Sequence, residues 1–467
     1  MGDPRRRRAL TEMTMRKRKY ELTDRLEKKT WEIQQDGVSL TTTFAARKGT
    51  PPRVVDHALE SEEEATQKFD KLVAEREEQG YALLESEDGN ARSPAQEVEA
   101  MAFEAAIARA PDVADAYLVY GDWLETHGDP LGELVAVQTS LTSKKRDGAL
   151  LAKQRELLDR YSATWLGPLA GEDGFDAEWR WGFLEVVELG VDEPCALDAV
   201  DALRALFRLP TARFLRELTI GDFGDESELS AGGEVDLADV VQALAKSPPP
   251  ATLRRLVIEP KRARLASIEM GDVSPMLARM RRLEDLSIKA AVLTLGKIDL
   301  PELTSFKLMT RATKAIVKQV ATARWPKLSS LVLGFGKTAG GATAADLRPI
   351  LDGVGLPELG HLGLRGLPFA DAVIALLPSA KILKGLRSLD LSKGRLSNGD
   401  AQALVDMKKA LAHLEDIDLS GHVLSKGAVG ALKKAFGERV TVDEGVDDAP
   451  KDDDDDDGED RYDEITE

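Results

Sequence analysis

From Leu184 onward, one short pattern of hydrophobic and polar positions recurs: two apolar residues three positions apart, then a polar residue and a third apolar residue. The pattern begins nine times, at Leu184, Leu215, Leu253, Leu283, Leu303, Leu328, Leu359, Leu386 and Leu414. Alternation with a period of two is typical of a strand with one buried face. A recurring unit of this length indicates a repeat array, in which each unit closes its core only against its neighbours. The pattern therefore predicts nine strands side by side.

The last two units add a helix after the strand. Their apolar stripes are Leu404, Val405 and Leu411 in the first, and Val429, Leu432 and Phe436 in the second. These units resemble leucine-rich repeats of the ribonuclease-inhibitor-like subclass, and the resemblance implies an α/β solenoid, or horseshoe, over residues 173–442. Gly394 and His422 stand where that subclass has an asparagine that bonds backbone. We expect those two turns to be less regular.

Residues 30–88 predict a small sheet crossed by one helix. Trp31 and Ile33 alternate as in a strand, and a helix is predicted to begin after Ser61 and to end near Gly80. The stretches WEIQQDG, ARKGT and EEEATQKFDKLVAEREEQGY resemble a WGR domain, a module of DNA-damage polymerases and of bacterial regulator-like proteins. The resemblance implies a small α+β domain. Only Arg47 remains of the eponymous Trp-Gly-Arg, and the tryptophan that stacks on nucleic acid in that family is absent.

Residues 94–172 predict three helices. A helix-turn-helix is one alternative, but the second helix would begin Leu131-Gly132-Glu133, without donors for base edges, so we favour a packed helical hairpin. The stretch LVYGDWLETHGDPLGELVAVQ resembles the bacterial repeat-companion domain. That resemblance implies a helical module beside a repeat array and no established chemistry.

The net charge of −19 is unevenly placed. Residues 1–29 carry eleven Lys/Arg against five Asp/Glu and predict a basic, disordered arm. Residues 443–467 carry two against fifteen and predict an acidic, disordered tail. The remaining body is acidic as well, which disfavours a nucleic-acid partner. Without an 18-residue apolar run or an apolar segment behind the basic arm, we expect no membrane span and no secretory signal, and hence a cytoplasmic protein.

Two stretches imitate ligand-binding motifs. Gly336-Lys337-Thr338 suggests a phosphate-binding loop, but the first glycine of that motif would fall at Leu331, the middle core residue of a repeat. We therefore expect no nucleotide there. Asp453, Asp455, Asp457, Gly458 and Glu464 match a calcium loop within a poly-Asp run that lacks flanking helices.

No catalytic site emerges from the residue pattern. Cys195 is the one cysteine, and the five histidines have no zinc-site spacing. The sequence predicts no catalytic residue, no metal, no cofactor and no enzymatic activity.

The predicted function is a non-enzymatic scaffold or adaptor that binds a protein through the outward side chains of the repeat strands. The predicted contact residues are Glu217, Thr219, Arg255, Val257, Asp285, Ser287, Ser305, Lys307, Ser330, Val332, His361, Ser388, Asp390, Asp416 and Asp418. They become acidic toward the C-terminal end, which favours a basic or mixed-charge partner. The alternative is a nucleic-acid-linked regulator that contacts DNA through the basic arm and through Arg47, Lys48 and Arg53.

Overall fold

A computed structural model describes residues 15–24, 27–45, 52–59, 61–86, 94–224, 234–247, 249–336 and 340–447. These residues form a mixed α/β protein. They divide into two compact units, residues 1–106 with 126–129, and residues 107–125 with 130–467.

Unit one contains a five-stranded antiparallel sheet in the order β4-β3-β2-β1-β5. Its elements are β1 (Met15–Asp24), β2 (Glu27–Asp36), β3 (Ser39–Ala45), β4 (Arg53–Ala58), α1 (Glu62–Glu78) and β5 (Ala82–Ser86), and α2 (Pro94–Arg109) follows. Ser61 caps α1 by accepting the N–H of Glu64 at 3.1 Å, and Gly80 takes the left-handed conformation after its last turn. The strand at Trp31 and Ile33 and both ends of the helix are thereby confirmed.

Strand β1 shows that the predicted disordered arm over residues 1–29 is wrong for residues 15–24, while residues 1–14 lie outside the described residues. Residues 15–24 pair with β2 along their whole length, and Tyr20 is fully buried beside Trp31. The basic side chains have partners, since Lys17 lies 3.4 Å from Glu32 and the Arg18 guanidinium lies over the ring of Phe69. A run of cations therefore forms a strand here because Tyr20 supplies buried apolar surface between them.

Unit two begins with a helical part made of α3 (Ala114–Thr126), α4 (Leu131–Ser143) and α5 (Gly148–Leu166). Two glycines allow α3 and α4 to approach closely. A methyl group on Gly132 would overlap the carbonyl oxygen of Gly121, and one on Gly121 would lie 2.8 Å from Val135. The close approach matches the predicted helical hairpin. Aromatic side chains extend this core to the next strands, where Tyr120 stacks on Phe183 with ring centroids 5.9 Å apart.

An eleven-stranded sheet forms the rest of unit two, in the order β19-β18-β17-β16-β15-β14-β12-β10-β8-β7-β6. Its strands are β6 (Phe175–Arg180), β7 (Phe183–Leu189), β8 (Glu217–Ile220), β10 (Arg255–Ile258), β12 (Asp285–Lys289), β14 (Ser305–Thr310), β15 (Ser330–Phe335), β16 (His361–Arg365), β17 (Ser388–Asp390), β18 (Asp416–Asp418) and β19 (Val440–Thr441). The first pair, β6 and β7, is antiparallel, and every later pair is parallel. All nine recurring phrases lie on neighbouring strands of this sheet, in chain order.

Helices and a smaller sheet lie between these strands along the chain. The helices are α6 (Ala199–Arg208), α7 (Ala238–Lys246), α8 (Ser274–Arg279), α9 (Lys314–Thr322), α10 (Arg348–Leu351), α11 (Ala370–Leu376), α12 (Asn398–Asp406) and α13 (Lys426–Phe436). A three-stranded parallel sheet contains β9 (Val235–Asp236), β11 (Ile268–Asp272) and β13 (Val292–Thr294). One buried cluster runs from Leu169 to Val440. The predicted helical stripes belong to it, with Leu404, Leu411, Val429, Leu432 and Phe436 buried and Val405 half-buried.

The turn after β18 is bridged by His422, although we expected irregularity there. The ring is 6% exposed, Nε2 lies 2.8 Å from the carbonyl oxygen of Leu391, and Nδ1 lies 2.7 Å from that of Gly394. The imidazole therefore ties this turn to the preceding unit. Burial lowers the pKa of His422, and it outweighs the two carbonyl groups, which favour the charged ring.

The depressed pKa of His422 predicts loss of stability in mild acid. Below pH 6.5, the ordinary histidine pKa, His422 takes up a proton in the unfolded chain. In the folded chain the same histidine takes it up only at lower pH. We expect the free energy of unfolding to be intact above the ordinary pKa. Below it, the free energy should fall by up to about 1.4 kcal/mol per pH unit. Urea denaturation between neutral and mildly acidic pH measures this slope.

Two variants test whether His422 is responsible for the pH dependence of the free energy of unfolding. His422→Asn supplies an amide donor that does not titrate, so the slope should become shallower. His127→Asn changes an exposed histidine and should leave the slope unchanged. Equal slopes in wild type and His422→Asn would show that another group is responsible.

Candidate functional site

The predicted contact residues form two straight rows across one face of the large sheet, which we call the polar face. The first row joins Glu217, Arg255, Asp285, Ser305, Ser330, His361, Ser388 and Asp416. The second joins Thr219, Val257, Ser287, Lys307, Val332, Gly363, Asp390 and Asp418. Because side chains alternate across a strand, in-register pairing of eight strands puts both rows on the same face.

Three predicted contact residues are buried, which corrects the prediction for them, and most of the others are half-buried. Ser287 is 6% exposed, Val332 is 8% exposed and Asp390 is 1% exposed. Neighbouring side chains cover two of them, since Ser287 contacts Glu259 and Asp390 contacts Arg365. The second row therefore lies in the middle of the face, with less access to solvent than its polar pattern indicates.

A third row, which the sequence analysis missed, supplies this cover. It contains Glu259, Lys289, Met309, Gly334 and Arg365, each two positions beyond a second-row residue. The sequence signal was the continuation of the period-two alternation past the last apolar residue of the phrase. The end of the Met309 side chain lies over Gly334, where a methyl group would force the thioether to move.

The N-terminal half of the polar face is neutralised by internal pairs. Lys307 Nζ lies 3.0 Å from Glu259, whose carboxylate also accepts the hydroxyl of Ser287. Arg255 lies between two acids, 3.8 Å from Glu217 and 4.0 Å from Asp285. Burial raises the pKa of Asp285, and the Arg255 charge opposes that rise. These charges are therefore mutually satisfied before any partner arrives.

The C-terminal half contains a chain of hydrogen bonds. Ser388 Oγ donates to the Asp416 carboxylate at 3.1 Å and lies 3.0 Å from His361 Nδ1. Burial lowers the pKa of His361, so the ring is neutral near neutral pH. Because the serine proton goes to Asp416, Nδ1–H donates to the serine oxygen and Nε2 is left as an acceptor.

This chain is ordered differently from a catalytic triad. In a hydrolase, the imidazole accepts the serine proton and the carboxylate orients the imidazole. Here the carboxylate of Asp416 contacts Ser388, and His361 is the donor to the serine. The arrangement fixes the orientation of the His361 ring and does not activate Ser388 as a nucleophile.

A cavity of about 560 Å³ lies beside this chain at the amino ends of β15, β16 and β17. Ser330, Glu358, His361, Arg387 and Ser388 are among its lining residues. The cavity therefore opens among three residues of the first row, and it gives that row a concave position where a side chain of a partner fits.

Two acidic side chains, Asp416 and Asp418, lie at the C-terminal end of the polar face. Within the described residues, no ion pair joins a cation to Asp416 or Asp418. Asp416 is exposed, and Asp418 is half-buried with its carboxylate accepting the N–H of Ser420 at 2.9 Å. The C-terminal end of the face is thus the part where added positive charge meets no competing cation.

The remaining sequence-predicted positions belong to unit one, lie in the core or fall outside the described residues. Arg53 is exposed on β4 of unit one. The structure does not describe Arg47, Lys48, Lys337, Thr338 or the calcium-like stretch 453–464. Leu331 is fully buried, as predicted for a core residue.

Cys195 is also buried, and burial raises the pKa of its thiol to about 11. Its sulfur lies 3.5 Å from the Glu172 carboxylate. A thiol with a raised pKa is a poor nucleophile at neutral pH, so Cys195 acts as a packing residue.

Two further observations concern all of the described residues together. No group of three His, Cys, Asp or Glu side chains there is placed to hold a metal ion. None of the helices described there has the length and apolar content that spanning a bilayer requires.

The chain was compared with family profiles, curated proteins and solved structures. No family profile matches the chain. No curated protein matches it either. Among solved structures, the chain is similar to a protein from Bacteroides fragilis at 19% identity with a TM-score of 0.48, over 92% of this chain and 97% of that chain. Similarity at this level assigns no function.

Proposed function

We propose that the chain is a non-enzymatic interaction protein, a leucine-rich repeat scaffold whose polar face binds a basic or mixed-charge region of a partner protein. The observation that carries this proposal is the alignment of first-row and second-row side chains over eight neighbouring strands. Repeat arrays present such strand rows as wide, preformed binding surfaces. A preformed surface loses little conformational entropy when a partner binds.

Charge on the polar face favours one orientation of the partner. Acids in the N-terminal half already have cations, as Glu259 has Lys307 and Glu217 has Arg255. Asp416 and Asp418 have none among the described residues. A cationic patch on the partner therefore gains most at the C-terminal end, where it also increases the association rate.

The test is capture of partners from the native host with the full chain, compared with the double variant Asp416→Lys/Asp418→Lys. Reversing the charges of exposed Asp416 and half-buried Asp418 is expected to weaken binding at least about tenfold. Binding of the wild-type chain should also weaken as salt is raised, because these charges are solvent-accessible. Quantitative capture at several salt concentrations measures both effects.

A matched control keeps the change of net charge and moves it off the face. Asp371→Lys/Glu438→Lys replaces two exposed acids on α11 and after α13. This control should bind as wild type does. If both double variants retain the same partner, or both lose it equally, the polar face is not the binding site.

A further inference from the structure

A cavity of about 450 Å³ lies in unit two away from the polar face, between the β6–β7 hairpin and helices α4 and α5. Helix α4 contributes Gln138 and Thr142, and helix α5 contributes Gln154 and Leu158. The hairpin contributes residues 179–181. Nothing in the proposed binding of a protein partner uses this cavity.

One wall of the cavity contains the two-residue turn of the β6–β7 hairpin. Trp181 has a φ of 50°, which a bulky side chain rarely adopts, and its ring is 7% exposed. Its indole N–H donates to Thr142 at 3.1 Å, and the Arg180 guanidinium lies 3.9 Å from the ring centroid. The next backbone N–H, of Gly182, donates to Gln138 Oε1 at 2.7 Å. Trp181 and Gly182 are the two loop residues of the β6–β7 hairpin, in which a positive φ at both positions is common, and the three contacts hold this turn in place.

Two amide side chains offer unused hydrogen-bonding groups at this cavity. Gln138 is 8% exposed, and its Oε1 is occupied by the Gly182 N–H. Its Nε2 has no partner among the described residues, and neither does the half-buried Gln154 side chain. The Nε2 donor of Gln138 is not sealed from solvent, so it is available at the cavity wall to a ligand that accepts from it.

Charge and polarity restrict the class of ligand. Arg180 is the single charged residue of the described lining, and it is paired with Glu185 at 2.6 Å and lies 3.6 Å from Asp112. No net charge is therefore available to recognise an ion. Half-buried Trp179 and Leu158 add apolar surface to the same lining. The ligand that fits is neutral, with an apolar face and a hydrogen-bonding edge.

We propose that this cavity binds a neutral saccharide ring. A pyranose has an apolar C–H face that packs on Trp179, and each of its hydroxyl groups both donates and accepts. Such hydroxyls satisfy the free N–H groups of Gln138 together with the donor and acceptor of Gln154. A proline-rich peptide would also pack on tryptophan, but its prolines have no N–H, so it offers fewer donors to the Gln154 oxygen than a sugar does.

The test titrates the full chain with a panel of neutral monosaccharides and their disaccharides, including N-acetylated forms. Isothermal titration and saturation-transfer NMR report binding, and a small neutral ring is expected to bind with a Kd on the order of 1 mM. Gln154→Ala removes one hydrogen-bonding group that has no intramolecular partner. It should raise the Kd about fivefold and leave the melting temperature unchanged.

Two further variants complete the design. Trp179→Leu removes the aromatic ring and should abolish saccharide binding, while Gln242→Ala alters an exposed glutamine of α7 and should leave the Kd unchanged. The proposal is overturned if no saccharide binds at about 20 mM, or if Gln154→Ala and Gln242→Ala bind equally. It is also overturned if a proline-rich peptide binds in place of the sugars and that binding is lost in Trp179→Leu. None of these outcomes depends on a protein partner of the polar face.

Discussion

Replacing Gly190 with alanine is expected to lower the free energy of unfolding by at least about 3 kcal/mol. Gly190 follows β7 with a φ of 68°, and a methyl group there would overlap the carbonyl oxygen of Asp222 after the neighbouring strand. Hydrogen bonds fix this approach, because Asp222 N donates to Gly190 O and Gly190 N donates to Gly174 O, both at 2.7 Å. Relieving this overlap would require the connections that follow β7 and β8 to move apart. Urea denaturation followed by circular dichroism measures the loss.

Gly171→Ala is the matched control for this prediction. Gly171 has a φ of 79°, and no atom lies within 4 Å of the position where its methyl group would be. Its free energy of unfolding should fall by only about 1 kcal/mol, which is the conformational cost of placing alanine in the left-handed region. If the two variants lost the same free energy, backbone conformation rather than the contact with Asp222 would explain the effect at Gly190.

Trp325→Ala is expected to cost about 3–5 kcal/mol, because it leaves a large cavity in the continuous core. Trp325 is 1% exposed and stacks on Phe306 of β14 with ring centroids 5.3 Å apart. Its indole N–H donates to the carbonyl oxygen of Val320 in α9 at 3.0 Å. The side chain therefore joins strand and helix, and its removal affects both. The midpoint of urea denaturation measures the loss.

Two control variants accompany Trp325→Ala. One separates the effect of the lost side-chain volume from that of the lost hydrogen bond, and the other tests an exposed position. Trp325→Phe keeps most of the ring volume and loses the N–H, so it should cost clearly less than alanine. Val292→Ala on β13 removes a side chain that is 46% exposed and should change stability by no more than about 0.5 kcal/mol. A large loss in Val292→Ala, or none in Trp325→Ala, would contradict the assignment of the core.

The recurring strands were predictable because each phrase carries its own structural signal. Leucine at fixed spacing predicts one buried face, and nine repetitions predict that the faces join. The position of Leu331 inside such a phrase was also enough to argue against a phosphate-binding loop. That these units belong to the leucine-rich repeat class, and that residues 30–88 are WGR-like, remain predictions.

Strand β1 was not predictable from local composition. The run Arg16-Lys17-Arg18-Lys19 is typical of a solvated segment. Its strand depends on one buried residue, Tyr20, and on acids and aromatic rings from β2 and α1 that lie far away in the sequence. Contacts of that kind become visible only once the fold brings the elements together.

On the polar face too, the sequence predicts which residues share a face but not which of them are in contact. Sequence alternation correctly placed His361, Ser388 and Asp416 on one face, but they are separated by 27 and 28 residues. Their hydrogen-bond chain follows from in-register parallel pairing, which sequence spacing with insertions does not specify. Burial of Asp390 likewise depends on Arg365 from the neighbouring strand.

The two outer strands of the large sheet differ from its interior ones. Strand β6 carries exposed Asp176 and Glu178, and β19 has only two residues before the chain turns back, where Val446 N donates to Leu424 O at 2.9 Å. Charged or very short borders discourage another copy from adding its own strand. An array of parallel strands would otherwise be a template for fibrous growth, so these borders disfavour growth by strand addition at either end of the sheet.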